Sequence, residues 1–136
     1  KLPRNLLFHL KRFVVDVSPD YSSISYLKDQ SPISFEERIE LEVNDNEGGF
    51  QDFLALDASF TKGAAYKIRS VVNHIGSSVR CGHYTADAKR RCVIPEREGE
   101  RQWIRFNDSY VSEISIREAV QNASKTAYMI MYELEE

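Results

Sequence analysis

Cysteine is scarce: Cys81 and Cys92 are the two that 136 residues contain. Two cysteines do not make a disulfide framework, so the expected setting is reduced and intracellular, cytoplasmic or nuclear. Long apolar runs are missing as well. "YMIMY", Tyr128 to Tyr132, is the longest candidate, and it is strand-sized where a membrane span needs about 20 residues, so no membrane partner is expected. There is no basic excess: 18 Lys and Arg face 21 Asp and Glu, for a formal net charge of −3. That balance argues against nucleic acid as the main partner, because phosphate binding needs a basic surface. No internal repeat, low-complexity tract or charged-then-apolar leader can be read, so nothing signals secretion. An initiator Met is also missing. "KLPRNLLFHL" enters a strand pattern almost at once, and the expectation is a piece of something larger.

What is present suits one domain, residues 1–136, long enough to bury about two-thirds of its unfolded surface. "NLLFHLKRF" sets Leu6, Phe8 and Leu10 against Leu7, His9 and Lys11, the alternation of a strand buried on at least one face. Asp16 to Pro32 is rich in Ser, Asp and Pro and predicts a long loop or irregular hairpin. "ISFEERIELEV" carries alternate Ile39, Leu41 and Val43 for a strand, behind a Glu-rich start that suits a helical turn. "NDNEGG", Asn44 to Gly49, predicts a turn. "AYKIRSVVNHIG" alternates again. "GSSVRCG", Gly76 to Gly82, predicts a loop leading into the strand "HYTADAK". "PEREGER" predicts a polar turn and "QWIRFN" a further strand. Ile116, Ala119 and Val120 stand at helical spacing behind Ser115, a candidate cap, so one short helix is expected. "AYMIMYEL" closes the chain as an apolar strand. The fold class is α+β, mainly antiparallel β.

Two stretches carry candidate chemistry, "GHYTADAK" and "RFNDSYV". Alternation puts His83, Thr85 and Asp87 on one face of their strand, and Trp103, Arg105 and Asn107 on one face of theirs. If the strands pair as a hairpin, His83 and the Asn107-Asp108 pair reach the same end of the sheet. Asn107 or Asp108 then accepts the Nδ1–H of His83, which leaves Nε2 as an oriented base. Spacing alone is equally that of a hydrogen-bonded surface histidine beside a common turn pair.

Four ordered blocks go further. "LPRNLLFHLKRF", "YKIRSVVNHIGSSVRCGHYTADAK", "WIRFNDSYVSEI" and "AYMIMYE" resemble the ubiquitin-specific proteases, cysteine deubiquitinases with a papain-like core of thumb, palm and fingers. The resemblance implies a carboxyl-terminal, palm and fingers part of such a domain, with His83 as general base. Asn107 becomes the third triad member, with Asp108 as helper or substitute. Many members carry Asp where Asn107 stands; an Asn oxygen orients an imidazole but gives an imidazolium no charge.

The family's nucleophile belongs to an amino-terminal thumb, and no such block is found here. Cys81 is two residues from His83 on the same strand end and is expected to be a semi-buried loop residue. Cys92 follows "KRR" in an edge position. His74, Cys81, His83 and Cys92 fit no standard zinc spacing, so no metal or other cofactor is expected in this chain; a zinc site belongs to the fingers of the full domain.

By the same resemblance, Asp16 to Pro32 and Gly76 to Cys81 match two loops that gate the channel for ubiquitin's carboxyl tail. Gly76, Ser77, Gly82 and Tyr84 are the candidate substrate contacts, although the phase of Tyr84 equally suits a core position. His9 and His74 are read as structural, and Lys89 to Arg91 as a solvated strand end. The partners implied are ubiquitin, ubiquitinated proteins and the amino-terminal half of the same domain. Two other functions are weighed: an inactive ubiquitin-binding scaffold module, and an unrelated β-sheet interaction domain.

Overall fold

The computed structural model describes residues 2–43, 62–78, 81–91 and 101–135. Among the described residues, nine strands and one helix follow in the order β1 (Asn5–His9), β2 (Phe13–Val17), β3 (Ile24–Lys28), β4 (Arg38–Val43), β5 (Lys62–Ser78), β6 (Cys81–Arg91), β7 (Arg101–Asn107), β8 (Tyr110–Ile114), α1 (Ile116–Ala123) and β9 (Ala127–Leu134). Seven strands form one antiparallel sheet in the order β1-β9-β5-β6-β7-β8, with β4 also on β5; β2 and β3 pair separately. The turns expected at Asn44 to Gly49 and around Pro95 to Glu100, and Cys92 with them, lie outside the described residues.

The 17-residue β5 is the spine. β4 pairs with its first part, β6 with its second and β9 with its middle. Tyr66, Ile68 and Val71 on β5, Trp103 on β7 and Ile130 and Tyr132 on β9 form the core with Ala119 and Ala123 of α1. The helix starts as its sequence predicts. Ser115 Oγ accepts from the Glu118 N–H, and the Glu118 carboxylate accepts from the Ser115 N–H, a reciprocal capping box. The buried stripe is Ala119 and Ala123, with Ile116 partly covered. Short side chains let the helix approach the sheet closely.

Several elements differ from expectation. Asp16 to Pro32 is a regular hairpin in large part: β2 and β3 pair from Phe13↔Lys28 to Val17↔Ile24. Its turn is held by Asp20, which accepts from the Ser22 N–H and hydroxyl; hydrogen bonding from Ser18 first, and then from Ser22, holds the exposed Asp20 carboxyl down to about 2. The Gly76 to Gly82 "loop" is mostly hairpin too: β5 runs to Ser78 and β6 starts at Cys81, with an irregularity between Ile75 and Ser78. β4 begins only at Arg38, and no helical turn precedes it. β8 was not foreseen at all.

The β2–β3 hairpin is pinned at its base by Arg12, which is buried. Its guanidinium donates to the carbonyls of Ala127 (2.6 Å), Asp29 (3.0 Å), Ser31 (3.0 Å) and Ser124 (3.1 Å). The four carbonyls engage all three guanidinium nitrogens, so one side chain ties three chain segments together. Lys28 adds a hydrogen bond from Nζ to the carbonyl of His74. Burial, and then the charge of Arg12, lower the pKa of Lys28.

Candidate active site

The site is built where β6 begins and β7 ends. Directly opposed residues of an antiparallel pair share a face, so Val71↔Asp87 and Asp87↔Arg105 place these three together. That row lies on the helix-covered face, since Val71 belongs to the core. Alternation along β6 and β7 brings His83, Thr85 and Asn107 to the same face, toward the end of the sheet. The expectation that His83 and the Asn107-Asp108 pair share one sheet end is what the structure shows.

His83 Nε2 and Asn107 Oδ1 stand 2.5 Å apart. The amide oxygen accepts, so Nε2 carries the proton and Nδ1 is left as the ring's lone-pair nitrogen. This corrects the expected orientation, in which Nδ1–H faced Asn107 and Nε2 was the base. The ring is turned the other way, because Asn107 lies diagonally along the sheet from His83, within reach of the far nitrogen. Asp108 Oδ2 is 3.9 Å from the same Nε2, and its side chain is 78% exposed. Asn107 is therefore the direct orienter, and Asp108 sits just outside contact. Asp108 also has φ +51°, a left-handed conformation that Asp tolerates better than most residues. It makes the tight turn from Asn107 to Tyr110, which pair across it.

Gly76, Ser77 and Gly82 come together at the tip of the β5–β6 hairpin, beside the strand that carries His83. Gly82 is there for a reason that sequence reading missed. A Cβ on it would lie 2.1 Å from His74 Nε2 and 2.7 Å from Cε1. The imidazole of His74 occupies the space that any side chain would take. Gly76, at φ +145°, would meet the Cys81 carbonyl and Gly82 Cα, each at 2.9 Å.

Tyr84 points to the opposite face from His83. It is 52% exposed, which rules out the core alternative. Its ring rests on those of His74 and Tyr128 at 4.8 and 6.0 Å, and Phe13 packs edge-on against His74 at 5.2 Å. This aromatic group joins the base of the β2–β3 hairpin to the sheet behind the site. The signal for it was the strand phase of His74 and Tyr84, opposite in register. His74 is buried as the structural reading expects, and burial, then Lys28, push its pKa down. Cys81 is exposed rather than semi-buried, because the residue read as part of a loop begins an edge of the hairpin.

A concavity of about 1020 Å³ is on the other face of the sheet, against Arg69, Ala88, Ile104, Phe106 and Met131. None of His83, Asn107 and Asp108 borders it. A half-exposed histidine with one nitrogen committed to an amide oxygen can take a proton at the other and return it.

The comparisons agree with the blocks that carry the resemblance. The sequence model described as ubiquitin carboxyl-terminal hydrolase matches residues 1–132. Ubiquitin hydrolase B of Dictyostelium discoideum is 28% identical over 133 residues, 98% of this chain and 23% of that protein. Ubiquitin carboxyl-terminal hydrolase 36 of Drosophila mojavensis is 32% identical, over 99% of this chain and 9% of that one. A solved structure of the SAGA Ubp8/Sgf11/Sus1/Sgf73 DUB module bound to ubiquitin aldehyde superposes on 99% of this chain with a TM-score of 0.69 and 26% identity. The match takes in 25% of that chain, so the sequence spans a quarter or less of each of these proteins. With that sequence model matching residues 1–132 and the fold superposing on 99% of the chain, the chain belongs to the ubiquitin carboxyl-terminal hydrolase family.

Proposed function

We propose that this chain supplies the general base of a thiol hydrolase that cleaves the bond after the last glycine of ubiquitin. It corresponds to the palm side of the catalytic domain. The nucleophilic cysteine comes from an amino-terminal half that lies outside these residues. The observation that carries the reading is the 2.5 Å contact from His83 Nε2 to Asn107 Oδ1, with the His83 side chain 42% exposed.

In this scheme neutral His83 takes the thiol proton at Nδ1, and the thiolate attacks the carbonyl carbon of the terminal glycine. The tetrahedral adduct collapses as the imidazolium protonates the leaving amine of the substrate lysine, or of a peptide. A thioester to ubiquitin remains. His83 then removes a proton from water, whose oxygen attacks the thioester, and returns that proton to the departing sulfur. Ubiquitin leaves with a free carboxyl group and the thiol is restored. Asn107 keeps Nδ1 aimed at the sulfur by holding Nε2–H, and Asp108 adds a negative charge near the imidazolium. Gly76, Ser77 and Gly82, at the hairpin tip, flank the path of the ubiquitin tail, and the β2–β3 hairpin closes it from the other side.

The test is turnover of a ubiquitin–fluorophore amide. The full-length protein carrying this chain should cleave it, and the isolated 136 residues should not. Binding of ubiquitin without cleavage by the full-length protein would favour the inactive scaffold reading. Cleavage by the isolated chain, lost in Cys81→Ser, would make Cys81 the nucleophile instead.

A further inference from the structure

His83 and Asn107 are secured by different neighbours. His83 is registered on β5, opposite Ile75, and Asn107 on β8, opposite Tyr110. The ladder that joins β6 to β7 ends at Ala86↔Phe106, short of both. The separation of the two side chains therefore follows from the register of β6 against β7, beyond the last hydrogen-bonded pair. One step inside that end, Asp87 stands opposite Arg105.

This pair is unlike the surface ion pairs elsewhere on the sheet. The Asp87 side chain is 0% exposed and that of Arg105 27%. Arg105 Nε donates to Oδ1 at 2.8 Å and Nη2 to Oδ2 at 2.7 Å, a two-pronged fork. Glu118, in the first turn of α1, adds a further negative charge acting on Arg105. Slipping β7 by two residues, the smallest shift that keeps faces, would set Asp87 opposite Trp103 or Asn107. A buried carboxylate would then have lost its cation, which is strongly unfavourable. A slip of one residue would turn Asn107 to the wrong face altogether. The pair thus admits one register among those available.

We propose that Asp87 and Arg105 are positioning residues: their buried pair locks the β6–β7 register that holds Asn107 against His83. The proposal rests on the reading of His83 as base. The pair touches no substrate, and it acts through the distance between two other side chains.

The test uses the full-length protein with Asp87→Asn, Arg105→Gln and the two combined. Each single change should lower kcat about 10- to 100-fold, the cost of misplacing a catalytic group by about an ångström, with KM within about threefold. The double variant should be no worse than either single, because both remove the same lock. This distinguishes register from bare charge. Removing an anion and removing a cation would change kcat in opposite directions if charge alone mattered, whereas a lost register harms both alike. Additive losses, opposite changes, or an unchanged kcat in either single variant would overturn the proposal.

Ring ¹⁵N–¹H correlations of His83, assigned with His83→Gln, give a readout independent of turnover. The Nε2–H tautomer should dominate in the parent and become mixed in both variants; an unchanged tautomer refutes the lock even if the protein proves inactive. If His83→Ala left turnover intact, the function proposed above would fall while the tautomer still judged the lock. Should Asp87→Asn not fold, Arg105→Lys keeps the charge but replaces the fork with one donor. It should lower kcat severalfold, and a parental kcat there would count against the fork.

Discussion

His74 and His83 sit on neighbouring strands one register step apart, and they have opposite surroundings. His74 faces Tyr84 across the β5–β6 ladder, and His83 faces Ile75. One step along a strand changes the face, and the face decides the environment. His74 is 2% exposed, wedged between Phe13 and Tyr84, and its Nδ1 finds no partner among the described residues. His83 is half-exposed, with Nε2 bonded to Asn107. In the proposed scheme the first imidazole serves as a shape and the second as a base. Chemistry goes to the ring whose orientation is fixed by a polar partner and whose other nitrogen can reach solvent or substrate.

The largest effect should come from breaking the second ring. In the proposed scheme, His83→Ala in the full-length protein removes the base for the thiol and the acid for the leaving amine, and kcat/KM should fall at least about 10²–10⁴-fold. His74→Gln should leave kcat within a few-fold. Comparable losses in the two variants would erase the distinction between shape and base.

The next effect concerns the partner that His83 has and His74 lacks. A hydrogen bond to a group that becomes charged is worth about 1.5–3 kcal/mol, roughly 10- to 100-fold in rate. Asn107→Ala should cost up to that amount, moderated by Asp108 moving in from 3.9 Å. Asn107→Asp should be tolerated, since it keeps an acceptor and adds charge for the imidazolium. Asp108 is better probed as Asn than as Ala, because Asn also accepts the left-handed φ of +51°. Asp108→Asn should cost a few-fold at most. If kcat/KM fell more for Asp108→Asn than for Asn107→Ala, the assignment of the direct orienter would be reversed.

The contrast between the two histidines also shows what could be read in the sequence. Alternation in "HYTADAK" and "QWIRFND" sufficed to bring His83 and Asn107 to one sheet end, because period-two faces and a hairpin fix that much. Which ring nitrogen meets Asn107 depends on side-chain torsions and a diagonal offset, and no residue pattern encodes these. The helix was legible because Ser115 and Glu118 advertise their capping box. β8 was not, because Tyr110, Val111, Ser112 and Glu113 all lie exposed at a sheet edge. With neither face buried, no alternation is imposed. β2 and β3 hid for the same reason: Val14, Val15, Ile24 and Leu27 are exposed and the segment is rich in Ser and Asp. Arg12, at the centre of four carbonyls, carries no mark in the sequence that separates it from a surface cation.

A third effect links the two histidines through Gly82, the residue between them in space. Gly82→Ala puts a methyl 2.1 Å from His74 Nε2 and 2.9 Å from the Ile75 carbonyl, which belongs to the backbone and cannot turn aside. His74 is held by Phe13 and Tyr84, so it has little room to yield. Overpacking of this kind costs about 1–3 kcal/mol. Thermal unfolding of the full-length protein should register that loss. In a His74→Ala background the same substitution should cost clearly less, because part of the clash is gone. Equal costs in the two backgrounds would mean that His74 is not what demands a glycine.

The smallest effect is a pH dependence that belongs to His74 by virtue of its burial. Burial first, and then the positive Lys28, lower its pKa below the ordinary 6.5. In the unfolded chain the ring takes a proton near 6.5, while the folded protein still resists it. Below that pH the unfolded state therefore binds more protons, and stability falls as pH falls. The stability tied to a neutral His74 is fully present above about 6.5 and is lost progressively toward the lowered folded value. One proton sets a ceiling of about 1.4 kcal/mol per pH unit. Other groups titrate in the same range, so the quantity to measure is the difference between parent and His74→Gln unfolding curves from pH 7.5 to 5.5. The variant should be less stable at neutral pH, where it has lost ring packing on Phe13 and Tyr84, yet flatter on acidification. The two curves should converge as the parent gives up the share of stability that depended on an uncharged ring. Parallel curves would show that His74 is protonated as readily folded as unfolded, and that its burial does not set it apart from the exposed ring beside it.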